Sequence, residues 1–233
     1  MGVLLEGLFG ALRLLATGDE DTWAITALTL RVSLTATALA LLVGVPLGTV
    51  LALGRFRGRR VLLAAANTGM GLPPVVVGLF VTVLLWRSGP LGALGLLYTP
   101  TAMVVAQAAI AIPIIAALSA VALQQVDPDF LVQMRALGAT RIRALAALLG
   151  EARLPLVAAA LAGFGAVVSE VGAAQMVGGN IAGETRVLTT AAVLATSRGE
   201  FALAIAFGLV LLAIAFGVNL AVTITQQRHT VRS

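Results

Sequence analysis

The chain has 233 residues, of which 60% are apolar and 11% charged, at a mean hydropathy of +1.05. A soluble domain of this length does not require so much hydrocarbon for its core, so an all-α polytopic membrane protein with one compact membrane domain is predicted. The lack of cysteine excludes disulfides, thiolate metal sites and thiol catalysis, the lone histidine, His229, lies in a polar tail, and every basic residue is arginine, for a formal charge of +5.

Residues 3 to 16 are apolar but interrupted by Glu6 and Arg13, and Asp19, Glu20 and Asp21 follow. An amphipathic interfacial helix is predicted there, within an N-terminal segment covering residues 1–22. No basic run precedes the apolar stretch, which argues against a signal peptide.

The first span is predicted over Ile25 to Leu53 and ends in Arg55, Arg57, Arg59 and Arg60, which assign that end to the cytoplasm. The second, Val61 to Trp86, carries Gly69, Gly71, Pro73 and Pro74, and the paired prolines predict a backbone break at membrane depth. Arg87 to Tyr98 reads as an outer loop with Trp86 and Tyr98 as interface anchors, followed by a third span over Thr101 to Leu123 with Pro113 inside it.

A polar stretch, Gln124 to Pro155, interrupts the hydrophobic pattern. Asp127-Pro128 reads as a helix start, an acidic acceptor followed by a residue preset for the first helical position. Phe130, Met134 and Leu137 then form one apolar stripe, and Gly138 stands where a left-handed residue ends a helix. Thr140 is positioned to cap a second helix whose Ile142, Leu145, Ala146 and Leu149 share a face.

A fourth span is predicted over Pro155 to Val177, an outer segment over Gly178 to Glu200, and a fifth span over Phe201 to Ile224. Ten loop or tail arginines (55, 57, 59, 60, 135, 141, 143, 153, 228, 232) then lie inside and four (13, 87, 186, 198) outside, with Arg31 in or near the first span. Five spans with the N-terminus out and the C-terminus in satisfy that asymmetry. Six result if residues 3 to 16 also cross, which moves the N-terminus inside. Topology accounts for the positive charge without a nucleic-acid partner.

Glu170 falls roughly 22 Å along a helix from Pro155. A carboxylate at that depth requires a partner, and Arg186, Arg198 or a backbone donor is predicted, giving a brace or gate and not a ligand for an anion. Gly165, Ser169 and Ala173, and likewise Ala158, Ala162 and Ala166, recur at the spacing that lets helices approach closely.

Three blocks of sequence resemble a known family. Met134-Arg135-Ala136-Leu137-Gly138-Ala139-Thr140-Arg141, with Leu154-Pro155 opening the next span, resembles the cytoplasmic coupling motif of ABC importer permeases. Gly71-Leu72-Pro73-Pro74-Val75-Val76-Val77-Gly78 and Ser169-Glu170-Val171-Gly172-Ala173-Ala174 resemble the second and fourth spans of molybdate-type permeases. The run from Glu170 to Ile181, continued by Thr185 to Thr190 and Thr196 to Glu200, is similar to tungstate-type permeases, and the match extends from about residue 22 to the last span. Val132-Gln133-Met134 stands where the wider family has Glu-Ala-Ala, and the distance from Gly138 to Leu154-Pro155 is about one helical turn longer.

The resemblance implies a permease domain over residues 23–228 with a coupling loop at 124–154, in the cell membrane. It implies a homodimer, two ATP-binding cassette subunits that hold ATP and Mg, and an extracytoplasmic oxyanion-binding protein. No cofactor is expected in this chain, nor ATP hydrolysis, since it has no GxxxxGK[ST] phosphate loop. Met134, Arg135, Ala136, Leu137, Gly138, Ala139, Thr140 and Arg141 become the expected ATPase-coupling residues. Thr68, Pro73, Pro74, Ser169, Glu170, Asn180, Thr189 and Thr190 become the expected residues of the translocation path or gate, with Gly69, Gly71, Gly178 and Gly179 exposing backbone. A secondary anion carrier or channel is the rival reading, disfavoured by sparse intramembrane charge and by the lack of an obvious inverted repeat. A membrane-embedded enzyme is weaker still, for want of His, Cys or paired-carboxylate constellations.

Overall fold

The computed structural model describes residues 2–17 and 19–230, and among them the secondary structure is helical, with no strand. Helix α1 is Gly2–Thr17, α2 is Glu20–Leu53, α3 is Arg59–Met70, α4 is Pro74–Leu85 and α5 is Pro100–Gln124. Then follow α6, Phe130–Ala136; α7, Arg141–Glu151; α8, Arg153–Val168; α9, Gly172–Gly178; α10, Leu188–Ser197; and α11, Phe201–Thr230.

The chain divides into two compact units, one of residues 1–36, 73–107 and 165–233, the other of residues 37–72 and 108–164. In the first, α1 and α10 pack on α11, and α4 packs on α9. Its core gathers Leu188, Ala191, Phe207 and Val210, flanked by Ile25, Leu203 and Ile214. In the second, Leu123, Leu148 and Ala152 form a core closed by Ala52, Phe130, Leu145 and Leu149.

The predicted first, third and fifth spans are continuous helices, long and apolar enough to cross a bilayer. The first begins earlier than expected, at Glu20, because the Asp19 carboxylate accepts from the Thr22 amide at 2.9 Å and from its hydroxyl at 2.6 Å. Those two bonds hold the Asp19 carboxyl below the usual carboxylate range. At the other end Arg59 caps α2, donating from Nε to the Leu51 carbonyl at 2.7 Å and from Nη2 to that of Ala52 at 3.2 Å.

The second span is broken at Pro73-Pro74, as its paired prolines predict, whereas the fourth is not the single helix Pro155–Val177 that hydropathy predicts. The second is interrupted between α3 and α4, with Pro73 extended and Pro74 opening α4. Each half has 12 residues, roughly 18 Å of helix, too short to cross alone. Proline is the cause, through its missing donor and its constraint on the preceding residue. The fourth span starts at Arg153, bends 69° from α7, and stops at Val168, nine residues before the predicted end at Val177.

Polarity is distributed as in a membrane protein. On α11, Leu212, Phe216, Leu220 and Ile224 recur every fourth residue and stay exposed, an apolar stripe for lipid. On α2, Leu34, Leu42, Leu47 and Val50 are exposed, while Thr22, Thr26, Thr29, Ser33 and Thr37 share one buried face. Hydroxyls are tolerated inside because most can bond to backbone, and their small size allows helices to approach closely.

Helix α1 packs on α11 through Gly7, where an added Cβ would overlap the Ile205 side chain. Its Leu5, Leu8, Phe9 and Leu12 form an exposed apolar stripe, so the helix presents hydrocarbon outward as well as resting on protein.

Candidate functional site

Between α5 and α8 the chain builds a two-helix knob. Asp127 and Pro128 supply the turn before α6 instead of its first residues. The Asp127 Oδ1 accepts from the Asp129 amide at 2.8 Å, its carbonyl takes the Phe130 amide, and the helix starts at Phe130. At the far end Gly138 is left-handed, with φ +83. The Gly138 amide donates to the Arg135 carbonyl at 2.9 Å and the Ala139 amide to that of Met134 at 3.0 Å, the paired closure that consumes the last carbonyls of a helix. Thr140 caps α7 as predicted, its hydroxyl accepting from the Arg143 amide at 3.4 Å.

The two apolar stripes divide at the turn. Phe130, Leu145 and Leu149 turn inward onto the Leu123–Leu148–Ala152 core. Leu137 and Ile142 point away, 82% and 81% exposed, on either side of Gly138, while Arg135, Arg141 and Arg143 are exposed around them. Two large apolar side chains bared at a capped, structured turn and ringed by arginines have the composition of a docking surface.

The second constellation lies where the fourth span breaks. Glu170 is 5% exposed, and its two carboxylate oxygens accept from the Ala173 amide at 2.8 Å and the Ala174 amide at 2.9 Å. The carboxylate thereby satisfies the first donors of α9 and starts a new helix where α8 has ended. Of the partners predicted for Glu170, backbone donors take the side chain, and Arg186 serves Asn180 instead. Its Nε donates to the Asn180 Oδ1 at 3.2 Å and its Nη2 to the Asn180 carbonyl at 3.3 Å.

Helix α9 lies against α4 without room for side chains between them. A Cβ on Gly78 would stand 2.6 Å from the Ala173 Cα, and one on Gly172 2.5 Å from the Val75 Cγ2. The half-helix that begins after Pro73 is thus packed against the half-helix that begins after Glu170. Asn180, with φ +53, follows the left-handed Gly179, and Tyr98, with φ +63, lays its ring on Gly179 and donates its amide to the Val177 carbonyl at 2.8 Å. Asn180 tolerates the left-handed region, but a tyrosine held at positive φ marks this turn as over-determined by its packing.

The remaining expected path residues are dispersed. Thr68 is exposed on α3, a helix with no buried residue, and Pro73 and Pro74 form the exposed break before α4. Ser169 is exposed just past α8, and its hydroxyl returns to the Gly165 carbonyl of that helix at 2.7 Å. Thr189 is buried and donates to the Glu170 carbonyl at 2.9 Å, while Thr190 closes on Val187 at the start of α10. Thus Glu170 and Thr189 are brought together, as are Asn180 and Arg186.

Two working residues escaped the sequence reading. Thr29 accepts the Leu188 amide at 3.0 Å and so joins α2 to the start of α10. Its signal was present in the helical spacing of Thr22, Thr26, Thr29, Ser33 and Thr37. Thr185, fully buried, donates to the Gly178 carbonyl at 2.6 Å and accepts the Ile181 amide at 3.0 Å. No local pattern distinguishes it from the other threonines. Among the described residues no group of three or more His, Asp or Glu side chains is placed to hold a metal ion.

Spans broken by proline and by a capping carboxylate, together with a helical knob between spans, are the parts of a transport subunit, and they fall within one matched region. The chain belongs to the family described as binding-protein-dependent transport system inner membrane component, which matches residues 44–231. It is a multi-pass, non-catalytic permease, one component of a transporter whose binding protein and ATPase are separate.

Among its relatives, the tungstate uptake system permease protein TupB of Peptoclostridium acidaminophilum is 37% identical over 227 residues, covering 97% of this chain and all of that protein. A probable anion ABC transporter permease protein of Haloferax volcanii is 41% identical over 201 residues, 84% of this chain and 87% of the other. TupB of Campylobacter jejuni is 36% identical over 216 residues, 93% of this chain and 90% of the other.

Proposed function

We propose that this permease carries tungstate, released by an extracytoplasmic binding protein, through a homodimer driven by two ATP-binding cassette subunits. The observation that carries the coupling half of this reading is the α6–α7 knob, whose exposed Leu137 and Ile142 flank the left-handed Gly138. Met134 to Arg141 dock into the ATPase subunit. Thr68, Pro73, Pro74, Ser169, Glu170, Asn180, Thr189 and Thr190 belong to the path or its gate, with Glu170 and Thr189 holding the α8–α9 break and not touching the ion.

The cargo assignment is supported by two relatives named for tungstate uptake and a third named for an anion, all aligned over most of their length. Molybdate is the alternative cargo, since the two oxyanions share charge and shape. The test is ATP-driven uptake into vesicles holding permease, ATPase and binding protein, with calorimetry on the binding protein for tungstate, molybdate and sulfate. Uptake of tungstate at concentrations where molybdate and sulfate are left outside is expected. Preference for molybdate in both measurements would reassign the cargo.

A further inference from the structure

At the end of α2 remote from Arg55–Arg60, a cavity of about 290 Å³ opens between the start of α2, α10 and the start of α11. That volume is near the lower end of small-molecule sites and suits a compact polar group better than a protein surface, which would need a broad patch. Its mouth is charged, with Asp19, Asp21 and Glu200 facing Arg186 and Arg198. Its floor is apolar and includes Ile25, Leu203 and Phe207.

Two of these charges are already engaged, Asp19 by Thr22 and Arg186 by Asn180. Asp21, Arg198 and Glu200 are exposed and form no ion pair among the described residues. The cavity lies where the apolar runs of α2 and α11 begin, the level at which lipid headgroups meet protein.

Three carboxylates against two guanidiniums leave the mouth net negative, so it repels an oxyanion. A ligand that satisfies both signs carries an anionic and a cationic group on one small frame, with hydrocarbon attached for the floor. We propose that the cavity holds the headgroup of a zwitterionic phospholipid bearing a primary ammonium, phosphatidylethanolamine in chemistry. Arg198 takes the phosphate, for which its planar fork is suited. Asp21 and Glu200 accept hydrogen bonds from the ammonium, and the start of an acyl chain lies on Leu203 and Phe207.

The experiment is native mass spectrometry of the purified full-length permease. It is offered an equal mixture of phosphatidylethanolamine, phosphatidylcholine and phosphatidylglycerol with identical chains. Retention of the ethanolamine lipid about fivefold above either other lipid is expected, and stepwise N-methylation of its headgroup should lower retention at each step. The Asp21→Asn/Glu200→Gln variant should retain ethanolamine and choline lipids equally, and Arg198→Gln should lose both. Equal retention of all three lipids by the wild type, or preference for the glycerol lipid, overturns the proposal. So does an ethanolamine preference that survives Asp21→Asn/Glu200→Gln or is indifferent to methylation. The methylation series uses the unmodified protein, so it stands even if a variant fails to fold. A mouth that docks a protein instead would show no headgroup preference, and Asp21→Asn/Glu200→Gln would then weaken only binding-protein affinity.

Discussion

Glu170 concentrates the residue-scale physics of this permease, because both carboxylate oxygens work as backbone acceptors inside the membrane domain. Glu170→Ala leaves two buried amides without acceptors, and a loss of about 3 kcal/mol is expected. Glu170→Gln keeps one amide-accepting oxygen and should lose about half as much. Thermal melting of the purified permease in detergent would check the order, and an alanine variant as stable as the wild type would remove the brace. Thr26 is the opposite case, since its hydroxyl is buried on α2 and has no hydrogen-bond partner. Thr26→Val should stabilise by about 1 kcal/mol by removing that unpaired group. A lower melting temperature for Thr26→Val would show that the hydroxyl has a partner in the membrane.

Among the elements, the α6–α7 knob makes the sharpest prediction. At φ +83, Gly138 adopts a conformation that a β-branched residue resists at a cost of about 1–2 kcal/mol. Gly138→Val should therefore distort the turn that presents Leu137 and Ile142. On the coupling reading, ATP-driven uptake is lost while the permease still reaches the membrane. Gly138→Asn, whose side chain tolerates the left-handed region, should retain uptake. Full uptake by the valine variant would count heavily against coupling through this turn. Two spans are broken, the second and the fourth, and only one break could be read from the sequence. The Pro73-Pro74 break was legible because proline acts through its own ring. The break at Ser169–Val171 was not, because it depends on where the Glu170 side chain finds its donors.

For the whole molecule, a permease without an engine should be silent. Vesicles holding this chain alone, lacking ATPase and binding protein, are expected to take up no tungstate above protein-free vesicles. Measurable uptake would revive the secondary-carrier reading. The chain alone determined its class. Apolar runs of bilayer length, arginines gathered at particular loop ends, and a capped Gly138 turn are all local signals, since hydropathy and capping act over a few residues. Only the tertiary structure decided that Glu170 binds α9 amides and not Arg186, that α4 and α9 meet at Gly78 and Gly172, and that Thr29 reaches Leu188. Partners 159 residues apart in the chain, as Thr29 and Leu188 are, become neighbours only through helix packing, which chooses among several chemically equivalent hydroxyls and donors by proximity alone.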